Sequence, residues 1–119
     1  MGRRGKLVDE PQVALHARQF AALGAEPRLR ILRLLLAAHP TGLVAGDIQT
    51  ELEIPASTLS HHLEKLRAEG LVTPRREGPF LWYRASTGGL GELVRFLYAE
   101  CCTRNRAIEP QSILERKRS

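Results

Sequence analysis

Residues 54–72 read IPASTLSHHLEKLRAEGLV. Leu59, Leu63 and Leu66 recur at the intervals that place apolar side chains on one helix face. Ser57 is a candidate N-terminal cap and Gly70 a stop, so a helix is expected from Ala56 to Glu69. Its other face carries Ser57, Thr58, Ser60, His61 and Lys65. Just upstream, Val44, Ile48 and Leu52 fall at i, i+4 and i+8 and mark a short helix over 44–52. Only Glu53-Ile54-Pro55 separates the two, and helices joined this tightly form a helix-turn-helix. After Gly70 the pattern changes. Leu71–Arg76 and Phe80–Ala85 are short strand-like runs around the turn signal Glu77-Gly78-Pro79. A β-hairpin directly after a helix-turn-helix is the wing of a winged helix.

On the N-terminal side a first helix is expected from Pro11 to Leu23, with Val13, Ala17, Phe20 and Ala21 on one face. A second runs from Pro27 to His39-Pro40. Leu32, Leu35 and Leu36 form its core face, Ile31 and Leu34 widen it, and Arg28, Arg30 and Arg33 point outward. On the C-terminal side a last helix is expected over Leu90–Cys102, with Leu90, Val94, Leu97 and Cys101 as its stripe and Leu93 beside it. Residues 1–10 read as a disordered basic arm and 103–119 as a flexible basic tail. The fold expected for residues 11–102 is mainly α with a small β-hairpin, a winged helix-turn-helix.

Composition agrees with one small domain: 119 residues, 43% of them hydrophobic. The last helix carries an apolar stripe that so short a chain cannot cover, and the first offers a second, so a homodimer is expected. Eighteen Lys and Arg against 13 Asp and Glu give a net charge of +5, which favours polyanionic partners. No apolar run approaches the ~20 residues of a spanning helix, and Met1–Glu10 lacks the apolar stretch of a signal peptide. The chain therefore reads as cytoplasmic, with no membrane partner and its two cysteines reduced. Enzyme signatures are missing: no H-E-x-x-H, no glycine-rich phosphate loop, no nucleophile elbow.

These features point to double-stranded DNA. A helix that enters the major groove needs short polar side chains for base edges. Ser57, Thr58, Ser60 and His61 supply them, and Lys65 suits a phosphate. Arg75, Arg76 and Arg84 on the hairpin suit a backbone or a narrow minor groove. Of the adjacent histidines, His61 is expected to face DNA and His62 to pack.

The stretch 54–72 resembles the recognition helix and first wing strand of ArsR/SmtB-type repressors. Ala22-Leu23-Gly24-Ala25-Glu26-Pro27-Arg28-Leu29-Arg30-Ile31-Leu32 is similar to that family's L-x-x-x-x-R-x-x-I-L opening, and Tyr83-Arg84 closes the wing as it does there. The resemblance covers residues 15–102. It implies a dimer built from the first and last helices, and repression relieved by an effector.

Effector sites in such repressors differ, so each is checked on this sequence. Residues 46–52, GDIQTEL, contain no cysteine where one arsenic site would lie. Residues 90–102 contain no His or Asp for a zinc site. The vicinal pair Cys101-Cys102 remains, and it resembles the arsenical-binding cysteines of some members. Thiolates are soft ligands and suit trivalent arsenic. Adjacent residues on a helix diverge, but near a fraying helix end the backbone can adjust. Methylarsenite needs only two sulfurs and is expected to be preferred over arsenite. Zinc is not expected, since adjacent cysteines lack the usual gap, and no cofactor is required. His16 is a weaker candidate that could approach the partner's last helix. The alternatives are structural cysteines, Cys101 as a core thiol, or a redox sensor whose adjacent cysteines would close a strained ring. A winged-helix module for protein or RNA is a further class; a shift with upstream DNA, released by arsenicals but not oxidants, separates them.

Overall fold

The structure is a computed structural model that describes residues 10–101, 103 and 104. The elements are α1 (Glu10–Leu23), α2 (Glu26–Ala37), β1 (Leu43–Val44), α3 (Ala45–Leu52), α4 (Ala56–Ala68), β2 (Val72–Glu77), β3 (Phe80–Ala85) and α5 (Thr87–Tyr98). The strands form one antiparallel sheet in the order β1-β3-β2. Thr73 lies opposite Arg84, Arg75 opposite Trp82 and Glu77 opposite Phe80. This is a winged helix-turn-helix, with α3 and α4 as its two helices and β2–β3 as the wing.

Burial of the α4 leucines organises the core. Leu59, Leu63 and Leu66 pack with Ile31, Leu32 and Leu35 of α2, Ile48 of α3, and Leu71, Val72 and Ala85 of the hairpin. Gly70 ends α4 with φ +74°, a left-handed conformation that costs a glycine little. Its N–H donates to the Arg67 carbonyl and the Leu71 N–H to the Leu66 carbonyl, so α4 turns directly into the wing.

Several expectations are corrected. Val44 lies in β1, which pairs with β3 at Val44–Trp82, so α3 starts one residue later. Ser57 does not cap α4: Pro55 is the N-cap, extended at φ −61°, ψ 151° and without a side-chain bond, which leaves Ser57 inside the first turn. Leu36 is exposed rather than in the core, because α2 turns Ile31, Leu32 and Leu35 inward. Arg28 is half-buried, not outward; its Nε–H donates to the Ala22 carbonyl at 2.7 Å.

The first helix buries within the chain a face other than its apolar one. Val13, Ala17, Phe20 and Ala21 are exposed, whereas His16, Gln19 and Ala22 are buried. The polar pair is tolerated because its atoms find partners. The last helix begins at Thr87 rather than Leu90, since the Ser86 hydroxyl accepts from the Gly89 N–H and caps it. It ends at Tyr98, so Cys101 sits on the turn that follows, its N–H donating to the Tyr98 carbonyl at 2.9 Å. Cys102 and the stretches 1–9 and 105–119, to which most of the expected arm and tail belong, lie outside the described residues.

Candidate nucleic-acid interface

The core that α4 buries fixes what it shows. Ser57, Thr58, Ser60, His61 and Lys65 are all exposed. Helical spacing puts Ser57, His61, Glu64 and Ala68 opposite the buried leucines, with Thr58 and Lys65 on one flank and Ser60 and Arg67 on the other. Hydroxyls, an imidazole and an ammonium thus share one convex surface. Glu64 interrupts it with a negative charge. Arg67 offsets that charge through a two-pronged pair one turn on, which holds the Glu64 carboxyl below its usual range.

His61 and His62 diverge as expected. His61 is exposed, and His62 is half-buried with Nδ1 3.3 Å from the Arg28 guanidinium. Burial, then the charge of Arg28, then His61 lower the His62 pKa. The neutral ring accepts from Arg28 through Nδ1, and Arg28 also holds the end of α1.

The wing arginines are not equivalent. Arg75 is half-buried, 5.5 Å over the Trp82 ring and 3.6 Å from the Glu77 carboxylate. Arg84 is half-buried, its stem against Gly42. Arg76 is exposed. Arg75 and Arg84 share a sheet face with Trp82 and Phe80, while Arg76 projects from the face that carries Val72, Tyr83 and Ala85. The three wing arginines therefore do not share one face, but they and the α4 residues belong to the one α4–β2–β3 unit.

Behind this unit lies an apolar seam. Val13 and Phe20 of α1 are 36% and 41% exposed, and Val94 and Leu97 of α5 are 42% and 60% exposed. A groove of about 750 Å³ runs beside α5, with Leu36, Leu90, Val94 and Tyr98 among its lining residues. Leu93, one turn before Leu97 on α5, is buried. Cys101 is half-buried just beyond α5. His16 does not face outward: it is 3% exposed and contacts Phe96 of its own α5, ring centroids 4.3 Å apart. Among the described residues no three of His, Cys, Asp and Glu gather as a metal-binding group, and no helix is long and apolar enough to cross a membrane.

Known proteins share this arrangement. A helix-turn-helix domain family matches residues 23–75, from the end of α1 into β2. The transcriptional activator HlyU of Vibrio cholerae is 34% identical over 85 residues, 71% of this chain and 76% of HlyU. The solved ArsR-like transcriptional regulator from Rhodococcus sp. RHA1 superposes with a TM-score of 0.71 at 27% identity, covering 90% of this chain and 95% of that one. The chain belongs to the ArsR-like family of winged-helix transcription regulators. A third similar structure is the homodimeric winged helix-turn-helix DNA-binding domain Mb0332 from Mycobacterium bovis, with a TM-score of 0.61, 29% identity, and 84% and 93% of the two chains covered. These relatives are regulators of transcription, not enzymes.

Three features escaped the sequence reading. The Arg28–His62 contact joins residues 34 positions apart, and no local pattern announces it. The Glu64–Arg67 pair was legible as an i, i+3 spacing but passed over for the hydroxyls around it. The buried His16–Gln19 pair was hidden by reading α1 for apolar residues alone.

Proposed function

We propose that the protein is a homodimeric transcriptional repressor that reads operator DNA with α4 and releases it on binding a trivalent arsenical. One observation carries the DNA reading: every side chain selected for base or phosphate contact on α4, Ser57, Thr58, Ser60, His61 and Lys65, is exposed on a helix whose other face is locked into the core. Arg76 is the wing residue best placed for the backbone, with Arg75 and Arg84 in support. Two copies joined through the exposed α1 and α5 faces would present two α4 helices to successive major grooves. A dimer seated on a promoter excludes other proteins from it, which is repression; HlyU bears the name activator, so a reporter assay reads the sign.

Cys101 lies next to that seam, where a bound ligand would alter the spacing of the two α4 helices. Its thiol is a soft donor, and Cys102 follows it in sequence, so two sulfurs are at hand for methylarsenite. Arsenite is best held by three. The test is a DNA-release titration with both arsenicals on the wild type, Cys101→Ser and Cys102→Ser. Release at lower concentration by methylarsenite, lost in the variants, supports the reading. Equal potency removes the selectivity, and unaltered release in both variants removes the site.

A further inference from the structure

Two polar side chains lie in the interior of this small domain, His16 at 3% and Gln19 at 5% exposure. Buried polar groups are costly unless each finds a partner. Here they form a directed chain. The Gln19 side-chain amide donates to the backbone carbonyl of Glu69 at 2.8 Å. That contact fixes which end of the amide is nitrogen, so the Gln19 Oε1 faces His16 Nδ1 at 2.7 Å and accepts from it. The His16 ring is thereby held with a proton on Nδ1, and its face rests on Phe96 of α5. Gln12 stands 3.2 Å from the other ring nitrogen. From α5 through α1 the chain ends on Glu69, the C-cap of the recognition helix. Arg18, next to Gln19, grips the carboxylate of the same Glu69 at 3.3 Å.

We propose that Gln19, oriented by His16, is a positioning residue for DNA reading: it ties the α1–α5 pair to the end of α4 and so sets the pose of the recognition helix. An apolar pair would fill the same space, but an apolar contact slides. A hydrogen bond to one carbonyl fixes both register and direction. The carbonyl it holds follows the Leu66 and Arg67 carbonyls that accept from Leu71 and Gly70, so the bond sits where α4 turns into the wing. The flank of α1 beside His16 carries exposed Val13 and Phe20. A displacement of α1 or α5 is therefore passed to both DNA-contacting parts at their junction. The proposal rests on the reading of α4 as the DNA-contacting helix, and its test has one arm without DNA.

The experiment compares the wild type with Gln19→Met, Gln19→Glu, His16→Phe and the His16→Phe/Gln19→Met double variant, with Arg18→Ala as a control on the exposed pair. Methionine keeps the volume without the donor, glutamate keeps the shape and loses the N–H, and phenylalanine keeps the stacking on Phe96. Melting temperature and sedimentation identify variants that fold and self-associate like the wild type. In those, operator affinity falls about tenfold for each single variant and no further in the double, because both break one chain. Arg18→Ala stays within about twofold, as an exposed pair should. Without DNA, hydrogen exchange at the Gly70 and Leu71 amides quickens in the same variants. If the wild type binds no DNA, the proposed function fails, while faster exchange still upholds the tie to α4. Unchanged exchange and affinity in folded Gln19→Glu overturn the proposal, as do His16 and Gln19 effects that simply multiply. If every buried-site variant unfolds, exchange of the Gln19 side-chain amide in the wild type decides: slow exchange supports the bond, and solvent-like exchange overturns it.

Discussion

Leu97→Asp separates the dimer from the fold. Leu97 is 60% exposed in the single chain, whereas Leu93, one turn back on α5, is 2% exposed. A charge at Leu97 thus costs the isolated domain little. If α5 meets its partner through this face, burying the exposed part of one leucine contributes about 1–2 kcal/mol. Two-fold symmetry counts each change twice, so the truncation alone removes about 2–4 kcal/mol of association, roughly 30- to 1,000-fold in the dimer dissociation constant. A buried carboxylate on each chain adds to that loss. Sedimentation velocity across micromolar concentrations, with circular dichroism and thermal melting at each, separates the outcomes. Leu97→Asp should yield a folded monomer that binds operator DNA much more weakly, and Leu93→Asp should unfold. A Leu97→Asp protein that stays dimeric, or a folded monomer with full operator affinity, refutes the reasoning.

A Cβ on Gly42, at φ +85°, would stand 2.2 Å from the Tyr83 carbonyl oxygen and 2.9 Å from the Arg84 stem. Gly42→Ala should therefore destabilise the domain by about 2–4 kcal/mol through backbone strain and overpacking, measured by urea unfolding; a loss within experimental error would show that β1 and β3 part at no cost. The His62 pKa is lowered from its ordinary 6.5, so the folded state favours the neutral ring. The stability this contributes is full above pH 6.5 and is lost as the pH falls through the lowered value. Unfolding free energy should decline below pH 6.5 in the wild type and less steeply in His62→Gln, and parallel pH curves would refute a neutral His62 held by burial and the charge of Arg28.

The recognition helix and wing were legible because their signals are local and mutually consistent: Leu59, Leu63 and Leu66 repeat with the helical period, Gly70 stops the helix, and a turn separates two strand-like runs. The polar face of α4 followed, since the side opposite its leucines must face out. Other features were decided by tertiary context. On α1 the intrachain face is built on His16 and Gln19, which bond each other, and Gln19 finds its second partner at Glu69, fifty residues away. Apolar Val13 and Phe20 mark a second face, which the single chain leaves exposed. β1 is two residues long, too short for periodicity, and exists because β3 offers it an edge. The start of α5 was obscured by Gly88, Gly89 and Gly91, where the Ser86 cap prevails over glycine's low helix propensity.

The central claim, that α4 reads DNA, is tested most directly by the Ser60→Ala/His61→Ala double substitution. Both residues are exposed, so the fold should survive their loss. Fluorescence anisotropy at fixed salt would compare DNA from upstream of the gene with a scrambled duplex of the same length. Each lost base contact should cost about 1–3 kcal/mol, so the preference for the upstream DNA should fall tenfold or more while affinity for the scrambled duplex hardly changes. A double variant that keeps the wild-type preference would contradict the account.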